Sequence, residues 1–193
     1  APIREAYLDW REASYTRFGD QLAPVRAEGI REGRRVSEDA WSCIAPAFSP
    51  TGSGLLYSCL DQATGSSIWL ADGAAENPTK LLQDRGAGQF TWRADGEAFA
   101  YAGAHIVNRF NTWNDVYLHT LGDDAPTALT HGKRARDPEF SPDGSRLYVV
   151  TNQAQENALA LLTIDRQERE LFAPGGQTQL STPRFSPDGR VLA

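Results

Sequence analysis

Residues Pro138–Val149 read "PEFSPDGSRLYV", and the chain ends by repeating that wording at Pro183–Ala193, "PRFSPDGRVLA". Two looser copies precede them, "PAFSPTGSGLLY" from Pro46 and "FTWRADGEAFAY" from Phe90. Aligned on the aromatic before each turn, Phe48, Trp92, Phe140 and Phe185, the copies follow one another at intervals of 44, 48 and 45 residues. That spacing matches the period of one blade of a β-propeller.

Each copy prescribes a hairpin. Pro142 presets φ for the first central position of a type I turn, Asp143 tolerates the second, and Gly144 supplies the left-handed conformation that follows. The corresponding residues are Pro50 and Gly52 in the first copy, Asp95 and Gly96 in the second, and Pro187, Asp188 and Gly189 in the fourth. Before the turn, alternation puts Phe140 on a buried face; after it, Leu147, Tyr148, Val149 and Val150 read as a strand buried on both sides.

The residues between copies supply two further strands per period. The third strand reads "SIWLAD" at Ser67–Asp72, "DVYLHTL" at Asp115–Leu121 and "ALALLTI" at Ala158–Ile164; the short fourth reads "TKLLQ", "TALTH" and "ERELF". Pro78 and Pro126 stand just before two of the fourth strands, where an outer edge tolerates a missing N–H. Four antiparallel strands per period make a propeller blade. The expected fold is therefore all-β, a β-propeller with blades at residues 44–83, 89–131 and 137–172 and a fourth opening at 182–193. Rings of about 4–8 blades close on themselves, so the reading expects further blades, or a further domain of the same polypeptide, as partners of this piece.

Residues 1–43 do not repeat. From Ile3 to Phe18, Ala6, Tyr7, Trp10, Ser14 and Phe18 fall at helical spacing. Gly19 is expected to end that helix, and a second short one is expected from Asp20, as N-cap, to Glu28. "REGRRVSEDAW" then serves as a connector. The reading is a helical arm that packs on the propeller or on a domain outside the chain.

A net charge of −6 over 193 residues opposes nucleic-acid binding and gives no attraction to anionic lipid. No apolar run approaches the ~18 residues of a transmembrane helix. The chain opens Ala1-Pro2, has no Met and shows no basic-then-apolar leader, which suggests a processed or cut start. The two cysteines allow two readings. Cys43, placed just before the first strand, and Cys59, at the end of the second, approach each other when the hairpin folds; a disulfide there would suit a periplasmic or extracellular compartment. Two buried free thiols are the preferred reading, because a slip of one residue sends the side chains to opposite faces.

Motifs for catalysis are missing from the chain: it contains neither H-E-x-x-H nor G-x-S-x-G, and "RGAGQF" from Arg85 lacks the third glycine of a dinucleotide loop. His105, His119 and His131 are dispersed without metal spacing. No catalytic residue, metal or cofactor is expected. A binding face is. In a four-stranded meander the loops leaving strands two and four share one end, opposite the Ser-Pro-Asp-Gly turns. The longest of these loops, Gly103–Asn114, reads "GAHIVNRFNTWN" and carries His105, Arg109, Phe110 and Trp113. Beside it, "THGKRARD" gathers Lys133, Arg134 and Arg136 into a dense basic cluster. Together they read as a site for a protein or peptide that presents carboxylates, Trp and Arg being the usual anchors of interfaces. The competing reading packs Phe110 and Trp113 onto their own blade and leaves the arginines solvated or paired with Asp137 and Glu139.

The repeats resemble the TolB-like, WD-related propeller class, whose signature P-x-[FW]-S-P-D-G leads into an apolar strand. The resemblance covers Ile44–Ala193 and departs from the signature at Thr51 in the first copy and at "RAD" in the second. A second resemblance is to bacterial envelope proteins that join a zinc-peptidase domain to such a propeller. It is carried by "YLDWREASYTRF" leading to "APAFSP" and by "LTHGKRARDPEFSPDG" from Leu129. These resemblances imply a periplasmic or secreted, non-catalytic binding module. The alternative they imply is the propeller of a peptidase, zinc-dependent of the gluzincin type or of the prolyl-oligopeptidase type, restricting access to an active site outside this chain.

Overall fold

The structure is a computed structural model and describes residues 2–29, 36, 42–61, 65–83, 88–153, 156–163, 168–175 and 178–193. It divides into two compact units, residues 1–35 and 36–193.

Among the described residues the first unit holds one helix, α1, Pro2–Ala27. This corrects the expectation of two helices broken at Gly19. A glycine inside a helix costs only about 1 kcal/mol against Ala, and the helix runs through Gly19 and Asp20. It also accepts Pro24 near its end. Gly29, at φ 88°, closes it in the left-handed conformation that suits a residue just past a helix. Tyr7, Trp10 and Phe18 stand 55%, 65% and 59% exposed.

Among the described residues the second unit is built of three four-stranded antiparallel sheets, each a simple meander. The first contains β1 (Ser42–Phe48), β2 (Gly54–Asp61), β3 (Gly65–Asp72) and β4 (Thr79–Gln83). The second contains β5 (Gly88–Trp92), β6 (Ala98–Asn108), β7 (Asn111–Thr120) and β8 (Thr127–Ala128). The third contains β9 (Arg136–Phe140), β10 (Leu147–Gln153), β11 (Glu156–Leu162) and β12 (Glu168–Phe172). A fourth hairpin follows, with Phe185 bridged to Leu192 and Arg184 exchanging backbone hydrogen bonds of 2.9 and 3.0 Å with Ala193. This is a partial propeller with an N-terminal helix.

The repeated turns are alike in detail. Gly52, Gly96, Gly144 and Gly189 have φ of 72°, 73°, 71° and 71°. The N–H of each donates to the carbonyl three residues earlier, at 2.7 Å for Gly144 to Ser141. A second feature also recurs. Ala45, Gln89, Asp137 and Thr182 each lie three residues before the anchoring aromatic, and each has φ between 46° and 56°. Strand pairing is irregular at the first three of these. A non-glycine residue rarely adopts that conformation, so its return at one place in every copy marks a built-in bulge.

The bulge at Ala45 corrects the reading of the cysteines as free thiols. Phe48 pairs with Leu55 and Ala47 with Leu56, but beyond the bulge Ile44 pairs with Ser58 and Cys43 with Cys59. The extra residue shifts the register by one, so the two sulfurs share a face and are joined as a disulfide, with Cα atoms 4.1 Å apart. Cys43 accordingly lies inside the first strand, which starts at Ser42.

Blades pack face to face. Leu56 and Ile68 of the first meet Phe90, Trp92, Phe99 and Tyr101 of the second, and Trp92 Nε1 donates to the Ala47 carbonyl at 3.0 Å. Ala100 and Val116 of the second meet Phe140, Leu147, Val149 and Leu162 of the third, and the Phe140 N–H donates to Thr91 Oγ1 at 3.1 Å. From the third to the fourth, Tyr148 meets Phe185 edge-on at 5.3 Å, Arg184 pairs with Glu139 at 2.6 Å, and Thr182 N–H donates to Asp137 Oδ2 at 3.0 Å. Phe48 is 67% exposed, whereas its equivalents Trp92 and Phe140 are 9% and 7%. Among the described residues no blade precedes the first.

Candidate functional site

Where the sequence suggested a loop at Gly103–Asn114, the structure has a two-stranded ribbon. β5 pairs with β6 only as far as Ala102, and β8 pairs with β7 only at Tyr117 and Leu118. β6 and β7 continue together to the pair Asn108–Asn111. Ile106, Val107 and Thr112 are β-branched and suit a strand. The turn is closed by Asn108, whose Oδ1 accepts the N–H groups of Phe110 and Asn111, each at 3.0 Å. Phe110 at the tip is 88% exposed, Ile106 and Val107 are 49% and 39% exposed, and Arg109 is exposed beside them.

The loop after β8 is fastened to the ribbon's base. The expected fourth strand "TALTH" pairs only at Thr127–Ala128, because Thr130 takes a different role. Its hydroxyl accepts the Val116 N–H at 2.9 Å and donates to Asp115 Oδ1 at 2.8 Å. Asp115, fully buried, also accepts the N–H groups of Gly132 at 2.8 Å and Lys133 at 3.2 Å. A buried carboxylate is tolerable when its oxygens are filled by donors in this way.

That fastening places Arg134 over Trp113. The guanidinium carbon lies 4.3 Å from the centre of the Trp113 ring, within the range of a cation–π contact. Arg134 is exposed and has φ 52°. Gly132 lies against the same ring: a Cβ there would sit 3.7 Å from Trp113 Cζ3. His105 pairs across the ribbon with Trp113.

The structure thus brings Trp113, Arg134 and the backbone of Lys133 together and carries Arg109 and Phe110 to the ribbon tip. Arg136 does not belong with them. Its guanidinium pairs with Asp137 and donates to the Leu180 carbonyl at 2.8 Å, tying the third blade to the segment that follows it. Glu139 pairs with Arg184. Ile106, Val107, Asp115 and Thr130 were not singled out by sequence; an acidic residue directly before the apolar run "VYL" was the available signal.

Other titrating groups lie elsewhere. His119 is buried against Phe99, ring centres 5.3 Å apart, and burial pushes its imidazole below the usual 6.5 despite an opposing pull from Asp123. At the turn end, the Ser141 hydroxyl, then the Ser145 N–H and hydroxyl, hold the Asp143 carboxyl down to about 2. Among the described residues no group of three or more His, Cys, Asp or Glu side chains is placed to hold a metal, and no helix is long and apolar enough to cross a membrane.

No family model matches the sequence, and no curated protein matches it. Solved structures do share its fold. A protein described as TolB from Agrobacterium tumefaciens superposes with a TM-score of 0.68 and 22% identity over 79% of this chain and 54% of that one. TolB from Acinetobacter baumannii gives 0.61 and 20% over 81% of this chain and 37% of that one. The acylaminoacyl peptidase of Pyrococcus horikoshii gives 0.57 and 14% over 70% of this chain and 25% of that one. The chain has the fold of TolB-like and peptidase propellers and spans about half the length of the first of these structures.

Proposed function

We propose that this chain is a non-catalytic protein- or peptide-binding propeller module of a bacterial envelope protein, working in the periplasm or outside the cell. The observation that carries the reading is the stack of Arg134 on Trp113, which joins the ribbon and the basic loop into one surface. The loops leaving strands two and four of a meander emerge at one end of it, and Trp and Arg dominate interface energetics. The Cys43–Cys59 disulfide supports an oxidising compartment. The exposed Ile44 and Phe48 are read as the seat of a further blade of the same polypeptide.

The test is selection of a displayed random dodecapeptide library on the full chain, with counter-screening on a chain carrying Trp113→Ala and Arg134→Ala. The reading predicts enriched peptides that bind the wild type and fail on the double variant while its melting midpoint holds. Equal binding to both would overturn it. A second reading draws on the likeness to peptidase propellers: the module restricts substrate access to a catalytic domain outside this chain. A His-Glu-x-x-His or Gly-x-Ser-x-Gly motif in the flanking reading frame would favour that reading.

A further inference from the structure

We infer that Arg134 is the specificity-determining residue of this face and that the group it recognises is a carboxylate of the bound peptide. The inference rests on the binding reading above and narrows it to one chemistry at one side chain.

Three observations carry it. The cations that looked like a cluster in sequence are unequal in the fold. Arg136 is occupied by Asp137 and the Leu180 carbonyl, and Lys133 also has its interactions within the chain. Arg134, exposed, forms no ion pair among the described residues and has only the Trp113 ring as its recorded partner. Second, the side chain is held ready. The buried Asp115 carboxylate takes Thr130 Oγ1, Gly132 N and Lys133 N, so the two residues before Arg134 are fixed, and the guanidinium carbon rests 4.3 Å from the centre of the Trp113 ring. Third, the chain carries six more negative than positive charges, yet Asp115, the carboxylate in the midst of this face, is fully buried and filled with donors.

The chemistry follows from that arrangement. A guanidinium presents its N–H donors in a rigid planar fork matched to a carboxylate, and a ring stacked on its face leaves that planar edge free. Holding the side chain in advance reduces the ordering cost of binding. Ile106 and Phe110, exposed on the adjoining ribbon, offer apolar contact to a neighbouring residue of the same peptide. Asp115 acts as a positioning residue, since it reaches the ligand only through the loop that it fastens.

A double-mutant cycle tests this on a peptide selected on the full chain. The side-chain source is probed with each Glu or Asp of the peptide changed to Gln or Asn, and the terminal source with the C-terminal carboxylate converted to the amide. Arg134→Gln in the protein and removal of the responsible carboxylate should each weaken binding about tenfold or more, which is about 1.4 kcal/mol. Both together should weaken it little further, and Arg134→Lys should recover only part of the loss. Asp115→Asn should weaken wild-type peptide binding while leaving the affinity of the carboxylate-free peptide unchanged, which a merely structural role would not produce. If every carboxylate can be removed without loss, or the two effects simply add, the inference is overturned. If selected peptides bind the Trp113→Ala, Arg134→Ala double variant as well as the wild type, the broader binding reading fails instead.

Discussion

Gly189 of the fourth turn stands against Pro142 of the third: a Cβ on Gly189 would lie 2.8 Å from Pro142 Cγ. The same relation holds one blade back, where a Cβ on Gly144 would lie 2.9 Å from Arg93 Cγ and 3.2 Å from the Ala94 nitrogen. Gly96, Gly144 and Gly189 are each needed twice, for their left-handed φ and for the room they leave a neighbour. Gly52 is needed once, since nothing lies within 4 Å of its Cβ position.

Two alanine substitutions separate these demands. Gly52→Ala should destabilise by about 1 kcal/mol, from backbone strain alone. Gly144→Ala should cost about 3 kcal/mol, since overpacking against Ala94 adds to the strain. Denaturant melts of both variants check this, and equal costs would refute the stacking of turns.

The disulfide joins residues 16 apart in sequence, and closing a loop of that size is worth about 3 kcal/mol. Reduction, or Cys43→Ala with Cys59→Ala, should lower stability by about that amount in equilibrium unfolding. An unchanged midpoint on reduction would show that the sulfurs are not joined.

Acid should weaken the fold in two separate windows. His119 has its pKa depressed below 6.5 by burial, so the unfolded chain takes up a proton first. Its contribution is complete above about pH 6.5 and falls as the pH drops from there toward the folded value. Asp143, held down to about 2 from 3.8, keeps its contribution above about pH 4 and loses it between pH 4 and 2. Read as melting midpoint against pH, His119→Phe should remove the upper decline and Asp143→Asn should lessen the lower one, in which Asp95 and Asp188, also held below 3.8 by hydrogen bonds, share.

How far the fold was legible depends on which residues carry their own instructions. Pro142, Asp143 and Gly144 specify their turn locally, and β4 and β12 coincide with "TKLLQ" and "ERELF" because turns and a regular period bracket them. The bulges were hidden. Ala45, Gln89, Asp137 and Thr182 share no chemistry that would announce their left-handed φ, and at the first three it comes with an irregular pairing to the next strand. The cysteine pairing was hidden with them, since it depends on the residue added at Ala45. At the candidate site, Trp113 and Arg134 were visible as residue types. Asp115, buried and filled with donors, was not, because its three partners come from a loop 15 to 18 residues away.

Asp137 gives the bulge a measurable weight. Its carboxylate holds Arg136 and the N–H of Thr182, the equivalent residue in the next copy. Asp137→Ala leaves a half-buried guanidinium and a backbone donor short of partners, and should cost about 2–4 kcal/mol in chemical unfolding. A loss under about 0.5 kcal/mol, the range of an ordinary surface change, would show that the latch between blades is not formed.

The measurement that bears most directly on the account is amide hydrogen exchange of the full chain with and without a peptide selected on it. The partner is expected on the end carrying the ribbon and the basic loop. Bound peptide should therefore slow exchange at residues 105–114 and 131–135 and leave the turns at 49–54, 93–97 and 141–146 unchanged. Slowing confined to those turns, with the ribbon and the basic loop exchanging as before, would contradict it.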